Sequence, residues 1–411
     1  MKRGWEVKRL EEIIDSNVIG LVKNSGEQGA NKKYKYVKMN NITSSNEFDF
    51  SNFVCVDASS EEAEKYNLKD EDFLFNTRNS KELVGKTCVY RDINKDTVLF
   101  NNNIMRIRFI KMINPYFINY QFTTKPVQEK LNSMKSGTTN VSAIYYKNLQ
   151  HLSLFIPPLP EQQRIVSVLD EAFASIAQAK SNAERNLVNA RELFESVTQE
   201  IFSSFHDGWE EKSLEELGQI TSSKRIYKNE YVKEGVPFYR IKEVKELANN
   251  KDISIELFIS NKRYQEIKES FGVPAEGDLL MTAVGTIGEI YVVKKDDEFY
   301  FKDGNVLWFK DFKSIDPYFL KFALSAFVEK IRRLSAGAAY SALTIEKIEK
   351  HKVFVPSLAE QRAIVGRLEA LSAETGRLEE IYQSKVEALE ELKKSVLQKA
   401  FEGELTGMVA A

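Results

Sequence analysis

The chain has 411 residues, 43% hydrophobic and 11% aromatic, with a net charge of −2. That length admits two or three domains with separate cores, and no apolar run approaches the roughly 18–20 residues of a membrane span. Two cysteines, Cys55 and Cys88, are too few for a disulfide framework or a cysteine-rich zinc site and read as reduced structural thiols.

The N-terminal stretch Met1-Lys2-Arg3-Gly4-Trp5-Glu6 lacks a signal-peptide core, so a cytoplasmic location and no membrane contact are expected. The opening Trp5-Glu6-Val7-Lys8-Arg9-Leu10-Glu11-Glu12-Ile13 returns as Trp209-Glu210-Glu211-Lys212-Ser213-Leu214-Glu215-Glu216-Leu217. Short alternating runs follow in both copies, among them Tyr36-Val37-Lys38-Met39-Asn40-Asn41-Ile42 and Phe238-Tyr239-Arg240-Ile241-Lys242-Glu243-Val244, which suit strands and turns. Asp72-Phe73-Leu74-Phe75 and Asp278-Leu279-Leu280-Met281 read as equivalent buried strands, and Asn103 and Asn305 each precede another apolar run.

Asn114-Pro115-Tyr116-Phe117 and Asp316-Pro317-Tyr318-Phe319 each predict a short helix, with Asn or Asp as cap and proline at the first position. Polar loops are expected next, at residues 136–142 and 335–341. Each copy then passes through a proline-marked stretch, Ile156-Pro157-Pro158-Leu159-Pro160 or Val355-Pro356-Ser357-Leu358-Ala359, into one long predicted helix. Glu161-Gln162-Gln163-Arg164-Ile165-Val166 is answered by Glu360-Gln361-Arg362-Ala363-Ile364-Val365 at an offset of 199 residues. Self-similarity at so long a period marks a duplicated unit rather than a solenoid.

In the first helix apolar or small residues recur at alternating steps of four and three, with one stutter between Ala183 and Leu187; the second repeats the stripe with Thr375 and Lys393 as polar breaks. Ile165, Leu169, Ile176, Leu187 and Phe194 are the predicted pairing residues on one helix, and Ile364, Leu368, Leu378, Leu389 and Val396 on the other. The expected fold class is α+β: two mixed α/β domains, each followed by a long helix, the helices paired as an antiparallel coiled coil with intramolecular pseudo-twofold symmetry. The boundaries read as 1–156 for the first domain, 157–207 for its helix, 208–355 for the second domain and 356–411 for its helix.

Catalytic signatures are weak. Gly85-Lys86-Thr87 lacks the earlier glycine of a phosphate loop, with Ser80 in its place, and Asn114-Pro115-Tyr116-Phe117 lacks the second proline of the Asn-Pro-Pro-Tyr/Phe signature of amino-methyltransferases that it resembles. His151, His206 and His351 have no metal-ligand spacing around them, so neither catalytic residues nor a metal site are expected. Charge is partitioned: residues 161–204 hold seven acidic and four basic side chains and residues 360–404 ten and seven, so each stretch carries −3 and the remainder +4. Mildly basic globular parts admit DNA binding.

The candidate DNA contacts are duplicated basic and polar clusters. In the first copy they are Lys32, Lys33, Tyr34, Lys35, Lys38, Arg78, Asn79, Lys81, Asn102, Lys135, Thr138, Thr139 and Asn140. In the second they are Lys224, Arg225, Tyr227, Lys228, Arg240, Lys242, Lys302, Arg332, Arg333, Tyr340 and Ser341. Lys and Arg neutralise phosphates, while Asn, Thr, Arg and Tyr can meet base edges. A coiled-coil scaffold joining two protein-binding domains and a methyltransferase with degenerate motifs are the competing readings.

The paired stretches Pro157 to Val166 and Pro356 to Val365, with the C-terminal Leu397-Gln398-Lys399-Ala400-Phe401-Glu402-Gly403-Glu404-Leu405-Thr406, resemble the specificity subunit of type I restriction-modification systems over the whole chain. The resemblance implies a non-catalytic reader of double-stranded DNA, with one recognition domain per half of a bipartite target. It further implies antiparallel helices that space the half-sites and dock two methyltransferase subunits, with restriction and translocase subunits joining the full complex. S-adenosylmethionine, ATP and Mg2+ would sit on those partners and none on this chain. Two departures stand out: the first helix ends at Gln199-Glu200-Ile201-Phe202 without a Gly-Glu-Leu tail, and the second loop, Gly337-Ala338-Ala339-Tyr340, is poorer in polar groups than the first.

Overall fold

The computed structural model describes residues 4–93, 95–203, 207–284, 286–302, 304–334 and 344–404. The chain divides into two compact units, Met1–Asn182 with Lys385–Ala411, and Ala183–Ser384. Among the described residues no helix is long and apolar enough to cross a membrane.

The first unit is built round the strand Phe73–Asn76, whose four residues are all buried. It lies inside an antiparallel sheet ordered Ile14–Ile19, Ile104–Phe109, Phe73–Asn76, Thr87–Val89. Because both faces are covered, its apolar residues run on without alternation. Phe73 and Phe75 pack with Phe117 and Phe122 of the helix Pro115–Thr123 and with Ile165 and Leu169 of the long helix. Leu74 turns the other way, to Val37, Cys88 and Phe100, where a small sheet of Val54–Val56, Tyr34–Val37 and Val98–Phe100 covers it. Cys55 and Cys88 are both free thiols, and burial raises the Cys88 pKa.

The second unit repeats the sheet order as Gln219–Thr221, Val306–Lys310, Leu279–Thr282, Ile290–Val292, again with the central strand buried throughout. Both units also place one parallel pair beside this sheet, Tyr34–Val37 with Val98–Phe100 and Val236–Tyr239 with Tyr300–Phe301.

Three local expectations needed correction. The run from Phe238 to Val244, expected as strand and turn, stops being a strand at Tyr239 and becomes the helix Ile241–Ala248. Glu243 starts it by accepting the Arg240 backbone N–H at 2.7 Å, a capping device that outweighs the strand-like pattern. The first polar loop is partly a sheet, Ser136–Gly137 pairing with Ser142–Ala143 and that strand with Arg78–Asn79. Finally, the helix after Asn114 breaks into Pro115–Thr123 and Lys125–Met134, whereas its counterpart Pro317–Leu334 is one helix of 18 residues. Pro126 has no N–H for the Phe122 carbonyl, which accepts Gln128 Nε2 at 2.6 Å instead. Both caps form as the sequence predicts: Asn114 Oδ1 accepts from Tyr116 N and Phe117 N, Asp316 Oδ1 from Tyr318 N and Phe319 N.

The long helices are Leu159–Ser203 and Leu358–Glu402, 45 residues each. In the first unit Lys180 pairs with Glu390, and the Lys393 ammonium lies 5.1 Å from the centre of the Phe173 ring. In the second, Arg191 Nε meets Glu379 at 2.7 Å, and Phe194, Val197 and Phe202 pack against the core holding Ile364 and Leu368. Within each unit the helices therefore run antiparallel. The deeply buried positions of the first helix include Leu169, Ile176, Ala183 and Ala190, each seven residues from the last, while Leu187 and Phe194 are half-buried. On the second helix Ile364 and Leu368 are buried and Leu378, Leu389 and Val396 half-buried. Both polar breaks are accommodated: Lys393 by the Phe173 ring, and the buried Thr375 by donating to the Leu371 carbonyl at 2.9 Å.

One glutamine pins each long helix to its unit. Gln162 is fully buried; its Nε2 donates to the Pro157 and Met112 carbonyls at 2.8 and 3.1 Å, and its Oε1 accepts the Asn114 N–H at 2.8 Å. Gln361, equally buried, binds Pro356 O at 2.8 Å, Ser314 O at 3.2 Å and Asp316 N at 2.6 Å. The same residue thus ties the helix start to the capping turn of the neighbouring helix in both copies. That contact explains why Glu-Gln and Asn/Asp-Pro-Tyr-Phe recur together.

Candidate nucleic-acid interface

In the first unit, backbone hydrogen bonds draw many of the candidates onto one rim. Asn101 N donates to Val37 O at 3.0 Å, which sets the turn holding Asn102 beside Lys38. Asn103 O accepts Thr77 N at 2.8 Å as the chain leaves the central strand, and the next two residues are Arg78 and Asn79. These pair with Ala143 and Ser142, and Lys81 N reaches Thr139 O at 2.9 Å. Lys135 Nζ closes the arrangement on Lys81 O at 2.7 Å; burial and the neighbouring Lys81 charge lower its pKa. Residues 136–141, including Thr138, Thr139 and Asn140, are all exposed. Gly137 shapes this hairpin: its φ is +120°, and a Cβ there would lie 2.3 Å from Val141 O.

Lys32, Lys33, Tyr34 and Lys35 lie towards the other end of the strand Tyr34–Val37, and Lys32 and Lys35 are paired with carboxylates. Lys32 meets Asp57 at 2.8 Å and Lys35 meets Asp96 at 2.5 Å, while the Lys33 ammonium lies 4.8 Å from the centre of the Tyr34 ring. Lys38 Nζ donates to the neutral Gln28 amide at 3.2 Å and keeps its charge unpaired by a carboxylate among the described residues.

The second unit forms the equivalent rim. Lys302 N donates to Tyr239 O at 2.8 Å, Gly304 N to Ser222 Oγ at 3.1 Å and Ala283 N to Asn305 O at 2.9 Å. Lys224 joins through its N–H to Tyr300 Oη at 2.7 Å, and Arg225, Tyr227 and Lys228 follow it exposed. Arg332 Nη2 donates to Ile287 O at 3.2 Å while Nη1 holds Glu329 at 2.8 Å. Arg240 is clamped by Glu243 and Glu256 at 2.7 and 2.9 Å, carboxylates that raise its pKa, and Lys242 shares Glu256 at 3.2 Å. Arg333 falls within the helix Pro317–Leu334, while Tyr340 and Ser341 lie outside the described residues.

The clusters thus separate into cations tied to carboxylates and cations left open. Arg78, Lys81, Lys224, Lys228 and Lys302 have no carboxylate partner among the described residues, whereas Lys32, Lys35, Arg240, Lys242 and Arg332 do. An open cation can meet a phosphate directly; a paired one must first give up its carboxylate. Sequence reading missed Gln162 and Gln361, although their shared offset was the available signal. It also missed Val284, 43% exposed at the place in the second unit that Arg78 holds in the first.

In Gly85-Lys86-Thr87 a turn ends at Gly85 and the strand Thr87–Val89 begins at Thr87; Lys86 Nζ donates to Ile42 O and Thr87 Oγ1 to Asn119 Oδ1 at 2.7 Å. His351 stacks on Phe327 with ring centres 3.7 Å apart, and burial lowers its pKa to about 4, so it is neutral at pH 7. Among the described residues no group of three His, Cys, Asp or Glu is placed to hold a metal ion. A cleft of about 1030 Å³ in the first unit, lined by Phe48, Tyr116, Tyr120, Phe173 and Lys393 among others, contains none of the candidate DNA contacts.

The chain matches the Type I restriction modification DNA specificity domain twice, over residues 2–185 and 206–388. A relative in Methanocaldococcus jannaschii, named as the MjaX type I restriction enzyme specificity subunit, is 26% identical across 98% of this chain and 93% of its own. The EcoBI specificity subunit of Escherichia coli is 26% identical across 70% of this chain and 66% of its own. Among solved structures, a chain from a study of assembly and conformational transition of the type I restriction-modification system superposes with a TM-score of 0.74 at 18% identity, covering 98% of this chain and 99% of that one. The HsdS subunit of Thermoanaerobacter tengcongensis does so with a TM-score of 0.64 at 18% identity, covering 98% of both chains. With two copies of the specificity domain spanning most of its length, the chain belongs to the type I restriction-modification specificity subunits.

Proposed function

We propose that this chain reads a bipartite DNA sequence, one unit per half-site, while its paired helices set the gap and dock two methyltransferase subunits. The observation that carries this reading is the duplicated rim. In each unit a turn bonds to the parallel strand and to the first residue beyond the central strand, through Asn101 and Asn103 or Lys302 and Asn305, and open cations surround it. Two such rims suit two half-sites, and stiff helices suit a set separation. The chain itself is non-catalytic. S-adenosylmethionine belongs on the methyltransferase partners, and ATP and Mg2+ on the restriction and translocase subunits.

Selection of duplexes from a random pool, using the chain purified with its methyltransferase partner, tests the reading. The expected product is a gapped two-part motif, and failure to enrich one contradicts the proposal. A scaffold would bind its partners without selecting DNA, and an enzyme would methylate alone.

Within this reading the hairpin tip is a groove-entering ribbon, a shape the major groove admits. Replacing Gly137 with valine forces a Cβ against Val141 O in a backbone region that valine avoids. The expected result is affinity for the selected duplex lowered by about tenfold, the loss of one good base contact, with stability lowered by about 1–3 kcal/mol by the strained backbone and the displaced Val141 carbonyl. Fluorescence anisotropy and thermal melting of the same sample measure both.

A further inference from the structure

The two units present different chemistry at one equivalent place. Phe73–Asn76 and Leu279–Thr282 are matching central strands, each preceded by an aspartate, Asp72 or Asp278. Each strand leaves the sheet through the same backbone bond, Thr77 N to Asn103 O at 2.8 Å and Ala283 N to Asn305 O at 2.9 Å. The next residue is Arg78 in the first unit and Val284 in the second, and both are exposed. Arg78 has no carboxylate partner among the described residues, and its backbone is held in register with Ala143 at the foot of the exposed hairpin.

Resting on the DNA-reading function proposed above, we infer that Arg78 and Val284 are specificity-determining residues, Arg78 for a guanine in one half-site and Val284 for a thymine in the other. An arginine fork matches the O6 and N7 acceptors that guanine shows in the major groove. A branched aliphatic side chain cannot hydrogen-bond a base edge and gains from contact with the thymine methyl group. The surrounding positions agree with these roles. A backbone pinned on both sides fixes where the Arg78 side chain starts, as base reading requires, whereas a phosphate contact tolerates slack. Val284 is a branched apolar side chain exposed on a rim otherwise set by Lys302, Lys224 and Arg332.

The test compares motifs selected by wild type, R78A, R78K and V284S, each as the full chain with its methyltransferase partner. R78A and R78K are expected to lose about tenfold or more of the preference for guanine at one position of one half-site, with the gap and the other half-site kept. R78K separates base reading from charge: lysine keeps the positive charge but not the fork. V284S is expected to relax a thymine position in the opposite half-site by about fivefold or more. If wild type enriches a gapped motif and R78K leaves it unchanged, Arg78 is a phosphate contact and the inference is overturned for that residue. An unchanged V284S motif overturns it for Val284. A wild-type chain that enriches no gapped motif contradicts the DNA-reading function itself.

Discussion

Replacing Gln162 with leucine is expected to destabilise the first unit by about 3–5 kcal/mol, whereas the same change at Gln163 moves stability by less than about 0.5 kcal/mol. Gln162 is fully buried and makes three hydrogen bonds, to Pro157 O, Met112 O and Asn114 N; its neighbour Gln163 is exposed. Leucine fills similar space but leaves three backbone groups without a partner, each worth about 1–3 kcal/mol when buried. A domain of this size has only about 5–15 kcal/mol in hand, so a large part of its stability goes. Gln361→Leu does the same to the second unit through Pro356, Ser314 and Asp316. Urea denaturation of the two single variants and the Gln163→Leu control measures this. Equal midpoints for Gln162→Leu and Gln163→Leu would show that the pin contributes nothing.

Gln162 and Gln361 lie beyond what local sequence signals carry. The repeat, the buried central strands, both capped helices and the antiparallel partnership of the long helices could be read from periodicity and from Asn114, Asp316 and the proline positions. Those signals are local, and local backbone preference decides them. Which of Gln162 and Gln163 faces inward depends on helix phase against a loop about fifty residues earlier, and no local pattern carries that. The helix at Ile241–Ala248 was hidden because its capping Glu243 sits inside an alternating run.

The candidate contacts divide for the same reason. Their residue types were visible, but the carboxylates that occupy Lys32, Lys35 and Lys242 come from Asp57, Asp96 and Glu256, distant enough in sequence that only folding unites them. Conversely, Val284 carries no charge to attract notice, and only its place after the central strand aligns it with Arg78.

The second large effect concerns the helix pair. Inserting four residues into both long helices, after Asn182 and after Ser384 where the two units divide, lengthens each helix by about 6 Å and turns it by about 40°. One base pair advances duplex DNA by about 3.4 Å, so the added length corresponds to a gap longer by one or two base pairs. The stripe tolerates the insertion because it acts as one more stutter, at a place where the buried residues Ala183 and Ala190 are small. Insertion into one helix alone takes the pair out of register and is expected to abolish selective binding. Motif selection by the double-insertion chain beside wild type measures directly whether the helix pair sets the gap. Two unchanged half-sites separated by one or two more base pairs are expected; altered half-sites, or the wild-type gap, would contradict a helix pair that sets the gap.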